Sequence, residues 1–263
     1  MLTVSNLTVV SPEGRRLLED VSLTLERNEH ICLTGASGAG KSTLIRTIFG
    51  TAPDGLTVVS GDIRIDGDSI LRYAKQERRR LCGTQLGFIP QNSMTAFFSS
   101  VRVGKQLTET YKTRLGLNKA DALALAKDTL RRVNLTDTQR ILDAFPSQLS
   151  GGMLQRVAMS MILGMHPTYI LADEPTSALD ALNREHLIRL LREYSDGGVL
   201  FISHDTPAIE QLCSRVFVME RGRIIEEQDT ARLFSSPREE WTRRFVEASK
   251  KARGEAGRWK RSW

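Results

Sequence analysis

The sequence contains 263 residues, of which 40% are hydrophobic and 26% are charged, and its formal net charge is +6. This composition is typical of a globular protein with a sizeable core. No apolar run approaches the roughly 18 residues of a membrane span, and the N-terminus MLTVSNLTVV does not resemble a signal peptide. The lack of both leads us to expect a cytoplasmic protein. Three scattered cysteines argue against a disulfide framework or a zinc site.

Short strands are predicted first. LTVSNLTVV, VSLTL and HICLT are rich in β-branched and apolar residues, and the third ends at Thr34. KSTLIRTIF, which begins at Lys41, is predicted to be a helix. Further strands are expected at GDIRIDG (61–67) and QLGFIP (85–90).

The segment GASGAGKS, residues 35–42, joins the third strand to this helix and matches the phosphate-loop pattern G-x-x-x-x-G-K-[ST]. In such a loop, backbone N–H groups surround phosphates, Lys41 reaches the β- and γ-oxygens, and the Ser42 hydroxyl binds Mg²⁺. The alternative is a glycine-rich turn before a helix.

The middle of the chain is predicted to be helical, because little strand pattern occurs between about Asn92 and Ser147. KADALALAKDTLRRVNL (119–135) places Ala122, Leu125, Ala126, Leu130 and Val133 on one face, as expected of an amphipathic helix. We therefore predict an inserted helical region.

LSGGMLQR (149–156) precedes another helical run. Ser150 is a preferred N-cap residue, and two glycines leave the helix start bare, which suits a second anion site. Because one phosphate loop is already present, this second site indicates a composite site completed by another molecule's nucleotide.

YILADE (169–174) is an apolar strand that ends in two acids. At the carboxyl end of a parallel strand, Asp173 could hold Mg²⁺ through water and Glu174 could orient an attacking water. A solvated turn is the alternative. VLFIS (199–203), VFVME (216–220) and RIIEEQ are the last strands, so the order predicts an α/β fold with a mostly parallel sheet covered on both faces.

The C-terminal segment KKARGEAGRWKRSW (250–263) carries six Lys or Arg and one Glu, so it holds most of the net charge. We expect a solvated, poorly ordered tail. Contact with lipid headgroups or nucleic-acid phosphates is the alternative.

These motifs resemble those of ATP-binding-cassette (ABC) transporter subunits. GASGAGKS is similar to Walker A, YILADE to Walker B, LSGGM to the signature and SALD (177–180) to the D-loop, while Gln91 and His204 resemble the Q-loop glutamine and the switch histidine. The resemblance implies a P-loop NTPase cassette over residues 1–246, with an antiparallel β portion and a helical subdomain at about 92–165, followed by a basic tail at 247–263.

It also implies ATP and Mg²⁺ as ligands and an ATPase activity. The residues implied in catalysis are Lys41, Gln91, Glu174 and His204. Mg²⁺ would be held by Ser42, Gln91 and Asp173. The residues implied in nucleotide binding are Gly35, Ala36, Ser37, Gly38, Ala39, Gly40, Lys41, Ser42, Thr43, Ser150, Gly151, Gly152 and Asp180.

The resemblance implies a second ATPase subunit, bound head to tail, which is either another copy of this chain or a different subunit. It also implies two membrane permeases and, indirectly, an extracytoplasmic solute-binding protein. The subunit would lie peripherally on the cytoplasmic face of the membrane. Apolar residues after the Q-loop, Met94, Phe97 and Phe98, are expected beside the permease. SGGMLQR, NSMTAF and SSPREEWTRRFV (235–246) resemble the peptide and nickel importer branch, which includes metallophore importers.

Two points depart from or compete with this interpretation. The family usually stacks an aromatic residue on adenine near positions 10–14, which here read VSPEG, so ATP binding is expected to be weaker or less selective for the base. The alternative function is a non-transport ABC ATPase, either a phosphonate-metabolism subunit or a nucleic-acid-associated ATPase. Nucleic acid is the less expected partner, because one cassette is present and sustained heptads are not.

Overall fold

A computed structural model describes residues 1–51, 55–194 and 197–259. The N-terminal strands form an antiparallel sheet of order β2-β1-β4-β5, built from β1 (Leu2–Val10), β2 (Arg16–Leu25), β4 (Thr57–Ile65) and β5 (Asp68–Ser69). The predicted strand VSLTL is the second half of β2, which begins earlier because Arg16 pairs with Val10.

The second sheet has the order β10-β9-β3-β8-β7-β6. Five of its strands are parallel, and β10 alone pairs antiparallel, with β9, as predicted for a mostly parallel sheet. Its members are β3 (His30–Gly35), β6 (Leu86–Ile89), β7 (Tyr169–Asp173), β8 (Gly198–Ile202), β9 (Arg215–Glu220) and β10 (Arg223–Asp229).

Helices cover this sheet. The helices that follow or precede its strands are α1 (Lys41–Phe49), α2 (Lys75–Leu81), α7 (Ala181–Arg192), α8 (Thr206–Leu212), α9 (Thr230–Ser235) and α10 (Glu240–Trp259). The inserted region holds α3 (Val103–Leu115), α4 (Lys119–Arg132), α5 (Thr138–Asp143) and α6 (Gly151–Met165). These four helices lie within the predicted helical subdomain of 92–165, whose outer bounds stay a prediction.

Alternation along β3 divides the core into two clusters. Ile31 and Leu33 face the antiparallel sheet and α1, whereas Cys32 faces the cluster that continues into the inserted helices. The same alternation places Leu171 in the first cluster and Ile170 and Ala172 in the second. The sheet is thus buried on both faces, which fixes its carboxyl edge rigidly.

Three expectations need correction. Helix α4 ends at Arg132, not at residue 135, because Asn134 takes a left-handed conformation with φ 58°. Phe97 is only 8% exposed and packs in the core, whereas Met94 and Phe98 are exposed. The expected disordered tail begins as helix, because α10 runs across the 246/247 boundary to Trp259 with Val246 buried in the core. Residues 260–263 lie outside the described residues.

No helix in the described ranges combines the length and apolar character that crossing a membrane requires.

Gly35 ends β3 where the chain turns into the loop, and its neighbour across the β3–β9 pair is Met219. Its φ is +142°, and a Cβ there would lie 1.9 Å from the Met219 carbonyl oxygen. Because that obstacle is backbone, we expect Gly35→Ala to lower the free energy of unfolding by about 3 kcal/mol or more, as measured by urea denaturation.

Gly67→Ala is the matched control. Gly67 also has positive φ, +96°, but a Cβ on this residue would have no heavy atom within 4 Å. Gly67→Ala should therefore lower the free energy of unfolding by only about 1–2 kcal/mol. Equal losses in the two variants would contradict the close approach at Gly35.

Candidate functional site

The loop between β3 and α1 is shaped for an anion. Gly40 precedes α1 with φ 109° and no side chain caps the helix start. A Cβ on Gly40 would lie 2.9 Å from Leu18 Cδ2 and 3.0 Å from the Leu17 carbonyl oxygen. The close approach of β2 therefore leaves no room for a side chain at position 40. The first N–H groups of α1 have no partner within the helix and carry its positive end, which together form an anion-binding site.

Lys41 adds the charge. Its ammonium Nζ donates to the carbonyl oxygens of Gly35 at 2.5 Å and Ala36 at 2.9 Å, and the residue is only 9% exposed. Burial lowers the pKa of Lys41, while the carboxylates of Glu174 and Asp173 raise it. These contacts hold the cation inside the loop, facing two acids.

Ser42 and Asp173 form the part of the site that fits a metal. The Ser42 hydroxyl on α1 donates to Asp173 Oδ2 at 3.0 Å, although 131 positions separate the two residues. Gln91 lines the same cleft. Hydroxyl, carboxylate and amide oxygens are the ligands that Mg²⁺ prefers, so these residues fit the Mg²⁺ site predicted from the sequence.

Glu174 is held in an uncommon backbone conformation, with φ +47°. Its N–H donates to the Ile202 carbonyl oxygen at 3.0 Å, which ties the turn after β7 to the end of β8. Its Oε1 lies 3.6 Å from His204 Nε2. The structure thus brings together the two residues predicted to act on water and on the terminal phosphate.

The electrostatics of this pair follow from burial. Burial and the adjacent Asp173 carboxylate raise the pKa of Glu174 to about 7, against the opposing effect of Lys41. Burial and the charge of Lys41 lower the pKa of His204 below its ordinary value. His204 is therefore neutral at pH 7, and its contact with Glu174 is polar and not an ion pair.

A cleft of about 410 Å³ joins these groups. Gly35 and Ala36 are not among its lining residues, but they supply the carbonyl oxygens that hold Lys41. Its lining residues are Leu17, Ser37, Gly38, Ala39, Gly40, Lys41, Ser42, Thr43, Gln91, Asp173, Glu174 and His204.

The signature and D-loop residues lie elsewhere. Ser150 Oγ accepts the Met153 N–H at 3.2 Å and caps α6, as predicted, and Asp180 caps α7 by accepting the Asn183 N–H at 2.9 Å. A Cβ on Gly152 would lie 3.1 Å from the Ala178 carbonyl oxygen, so the two motifs pack together. Ser150, Gly151, Gly152 and Asp180 do not line the described cleft.

Sequence reasoning missed two residues. Leu17 of β2 lines the cleft, whereas residues 10–14, where the family usually has an aromatic residue, are not among its described lining residues. Gln155 of α6 is 1% exposed, and its amide donates to the carbonyl oxygens of Pro90 at 3.2 Å and Pro175 at 3.4 Å. The alternation of side chains between the two faces of β2 could have placed Leu17 on the face opposite to that of buried Leu18. No local sequence pattern identifies the partners of Gln155.

Comparison with known proteins gives the following findings. Residues 18–177 match the family described as ABC transporter. The chain is 33% identical over 255 residues to the metal-staphylopine import system ATP-binding protein CntD of Staphylococcus aureus (strain Mu50). This alignment covers 95% of this chain and 94% of CntD. The chain is also 32% identical over 236 residues to the dipeptide transport ATP-binding protein DppD of Escherichia coli (strain K12). That alignment covers 89% of this chain and 72% of DppD.

Solved structures agree on the fold. A structure of an ATP-binding subunit of an ABC transporter superposes with a TM-score of 0.77 at 25% identity, covering 94% of this chain and 98% of that one. The dimeric post-hydrolysis structure of the ATP-binding cassette MJ0796 with ADP and Pi superposes with a TM-score of 0.78 at 24% identity, covering 88% and 99%.

The position of Glu174 leads to a test. Glu174→Gln keeps the side-chain size and removes the charge that would polarise water. We expect ATP to bind within about threefold of the original affinity and hydrolysis to fall by about 10²-fold or more. Calorimetry and a phosphate-release assay measure the two quantities.

Glu185→Gln serves as the control, because Glu185 is an exposed glutamate on α7 that is not among the cleft-lining residues. It should hydrolyse ATP at the original rate. Normal turnover by Glu174→Gln would remove Glu174 from the reaction.

Proposed function

This chain belongs to the ABC transporter family, and we propose that it is the ATP-hydrolysing subunit that energises an importer of metal–metallophore complexes or peptides. The observation that carries the hydrolytic part is the cleft where Lys41, the Ser42–Asp173 pair and the Glu174–His204 pair meet. Support for the cargo comes from the resemblance to CntD over nearly the full length of both chains and to DppD over most of each.

Binding of the triphosphate is assigned to the glycine loop and α1. The N–H groups at the start of α1 donate to phosphate oxygens, and Lys41 exchanges its carbonyl partners for the β- and γ-oxygens. Ser42, Asp173 and Gln91 would hold Mg²⁺, which when bound neutralises charge on the β- and γ-phosphates.

Hydrolysis is assigned to the acid and the histidine beside them. Ionised Glu174 accepts a hydrogen bond from the attacking water and increases its nucleophilicity. His204, neutral and 3.6 Å from Glu174, donates a hydrogen bond toward the γ-phosphate and orients it.

A second ATPase subunit completes the proposal. Ser150, Gly151 and Gly152 form a capped helix start outside the cleft of their own chain, where they could bind a nucleotide held by another subunit. The MJ0796 cassette is a dimer in its solved structure. The pair proposed for this chain is head to tail, formed by two copies or by two different subunits.

Two permeases are the proposed membrane partners, with the subunit on the cytoplasmic face of the membrane and an extracytoplasmic solute-binding protein acting indirectly. Phe98 is 76% exposed and Met94 46% exposed in the segment after Gln91, which supports docking there. Phe97 is excluded from that surface because it is buried.

The non-transport alternatives receive no comparable support. CntD and DppD are import or transport proteins by name. No observation on the described residues favours a phosphonate-metabolism or nucleic-acid role.

The docking segment provides the test. Phe98→Asp places a charge on the exposed ring site, and we expect recovery of membrane subunits with the full-length protein to fall roughly tenfold or more. The assay is co-purification from detergent-solubilised membranes of the native host, with ATP binding measured in parallel.

The matched control is Val59→Asp, since Val59 is 55% exposed on β4 of the antiparallel sheet. This variant should retain the membrane subunits. Undiminished recovery with Phe98→Asp would contradict docking at this segment.

A further inference from the structure

The C-terminal helix α10 contacts the segment that carries His204. The Phe245 ring lies 6.4 Å from the His204 ring, centroid to centroid, at 69°, an edge-to-face arrangement. Four residues later, the Ser249 hydroxyl lies 2.5 Å from the Thr206 hydroxyl. These contacts join α10 to both ends of the short segment 204–206, which lies beside the cleft.

The rest of this segment is fixed from the core side. Asp205 accepts the Ala208 N–H at 3.3 Å, donates its own N–H to Ser203 Oγ at 3.0 Å and pairs with Arg184 of α7 at 3.3 Å. The His204 side chain itself is 45% exposed and has Glu174 on one side and Phe245 on another. The backbone N–H and the carboxylate of Asp205 therefore fix the segment, whereas the imidazole orientation depends on its two neighbours.

Phe245 is held independently of His204. Its ring stacks on Trp241 at 5.2 Å and 15° and lies 6.4 Å from the Phe234 ring of α9. The start of α10 is tied to the sheet by Glu226 of β10, a residue 5% exposed that accepts the N–H groups of Arg238 at 2.9 Å and Glu239 at 3.1 Å. The aromatic contact is thus part of a docked helix and not a chance surface contact.

We propose that Phe245 is a positioning residue for ATP hydrolysis, which holds the His204 imidazole in the orientation that faces Glu174 and the terminal phosphate. The proposal rests on the role of His204 proposed above. It makes the hydrolytic site depend on a helix that follows the family match at 18–177 in the chain. Misorientation of His204 would impair turnover without weakening nucleotide binding, because the loop and Lys41 are untouched.

Steady-state ATP hydrolysis by the full-length protein tests this. Phe245→Leu retains an apolar side chain and removes the ring, and we expect kcat to fall roughly fivefold or more while KM for ATP changes less than about twofold. Phe245→Tyr retains the ring at a partly exposed position and should restore kcat to within about twofold of the original.

Val246→Ala is the stability control. Val246 is the next residue of α10, is 2% exposed and packs in the core, so its truncation removes core packing while the Phe245 ring and its contact with His204 are kept. It should lower the thermal midpoint at least as much as Phe245→Leu and leave kcat unchanged. An equal loss of kcat in Val246→Ala, or full activity in Phe245→Leu, would overturn the proposal.

His204→Ala distinguishes the positioning role of Phe245 from the proposed role of His204 itself. If His204→Ala reduces turnover and Phe245→Leu does not, the positioning role is wrong and the site assignment stands. If His204→Ala retains full turnover, both are wrong.

Discussion

The parallel pairing of β3, β8 and β7 is the constraint on which the site depends. Leu33 pairs with Ile202, and Ile202 in turn pairs with Asp173, so β7 and β8 end at one level and β3 runs two residues further, to Gly35. Ligands collect at such carboxyl edges because the chain leaves the sheet there and helix N-termini face the ligand. One register thus places the glycine loop, the two acids and His204 around a single cleft.

The charges in that cleft favour a divalent cation beside a bound triphosphate. Among its described lining residues, Lys41 is the one fixed cation, and it faces Asp173 and Glu174. With Glu174 ionised, two carboxylates and one ammonium give a net negative site, which alone would repel a triphosphate. Backbone N–H groups offset part of this repulsion, and a divalent ion beside Asp173 would offset more and favour the ionised form of Glu174. The raised pKa of Glu174 belongs to the site without that ion.

How much could be predicted from the sequence depended on how local each signal was. The glycine loop, the acids after β7 and the Ser150 cap were predictable, because each function rests on consecutive residues and on the strand or helix beside them. The burial of Phe97 beside exposed Phe98 depends on packing against other segments, and local sequence gives no sign of it. The same holds for Leu17 of β2, which lines the cleft. It also holds for Gln155 of α6 and Phe245 of α10, which contact residues next to the site or in it. The basic composition near residue 250 suggested disorder, but α10 continues there because its preceding turns dock on the core.

The most direct measurement is an experimental structure of the full-length protein with a non-hydrolysable ATP analogue and Mg²⁺. The account predicts the γ-phosphate between Lys41 and His204, and Mg²⁺ at about 2.1 Å from Ser42 Oγ with Asp173 beside it. A nucleotide bound outside this cleft, or a metal held without Ser42 and Asp173, would contradict it.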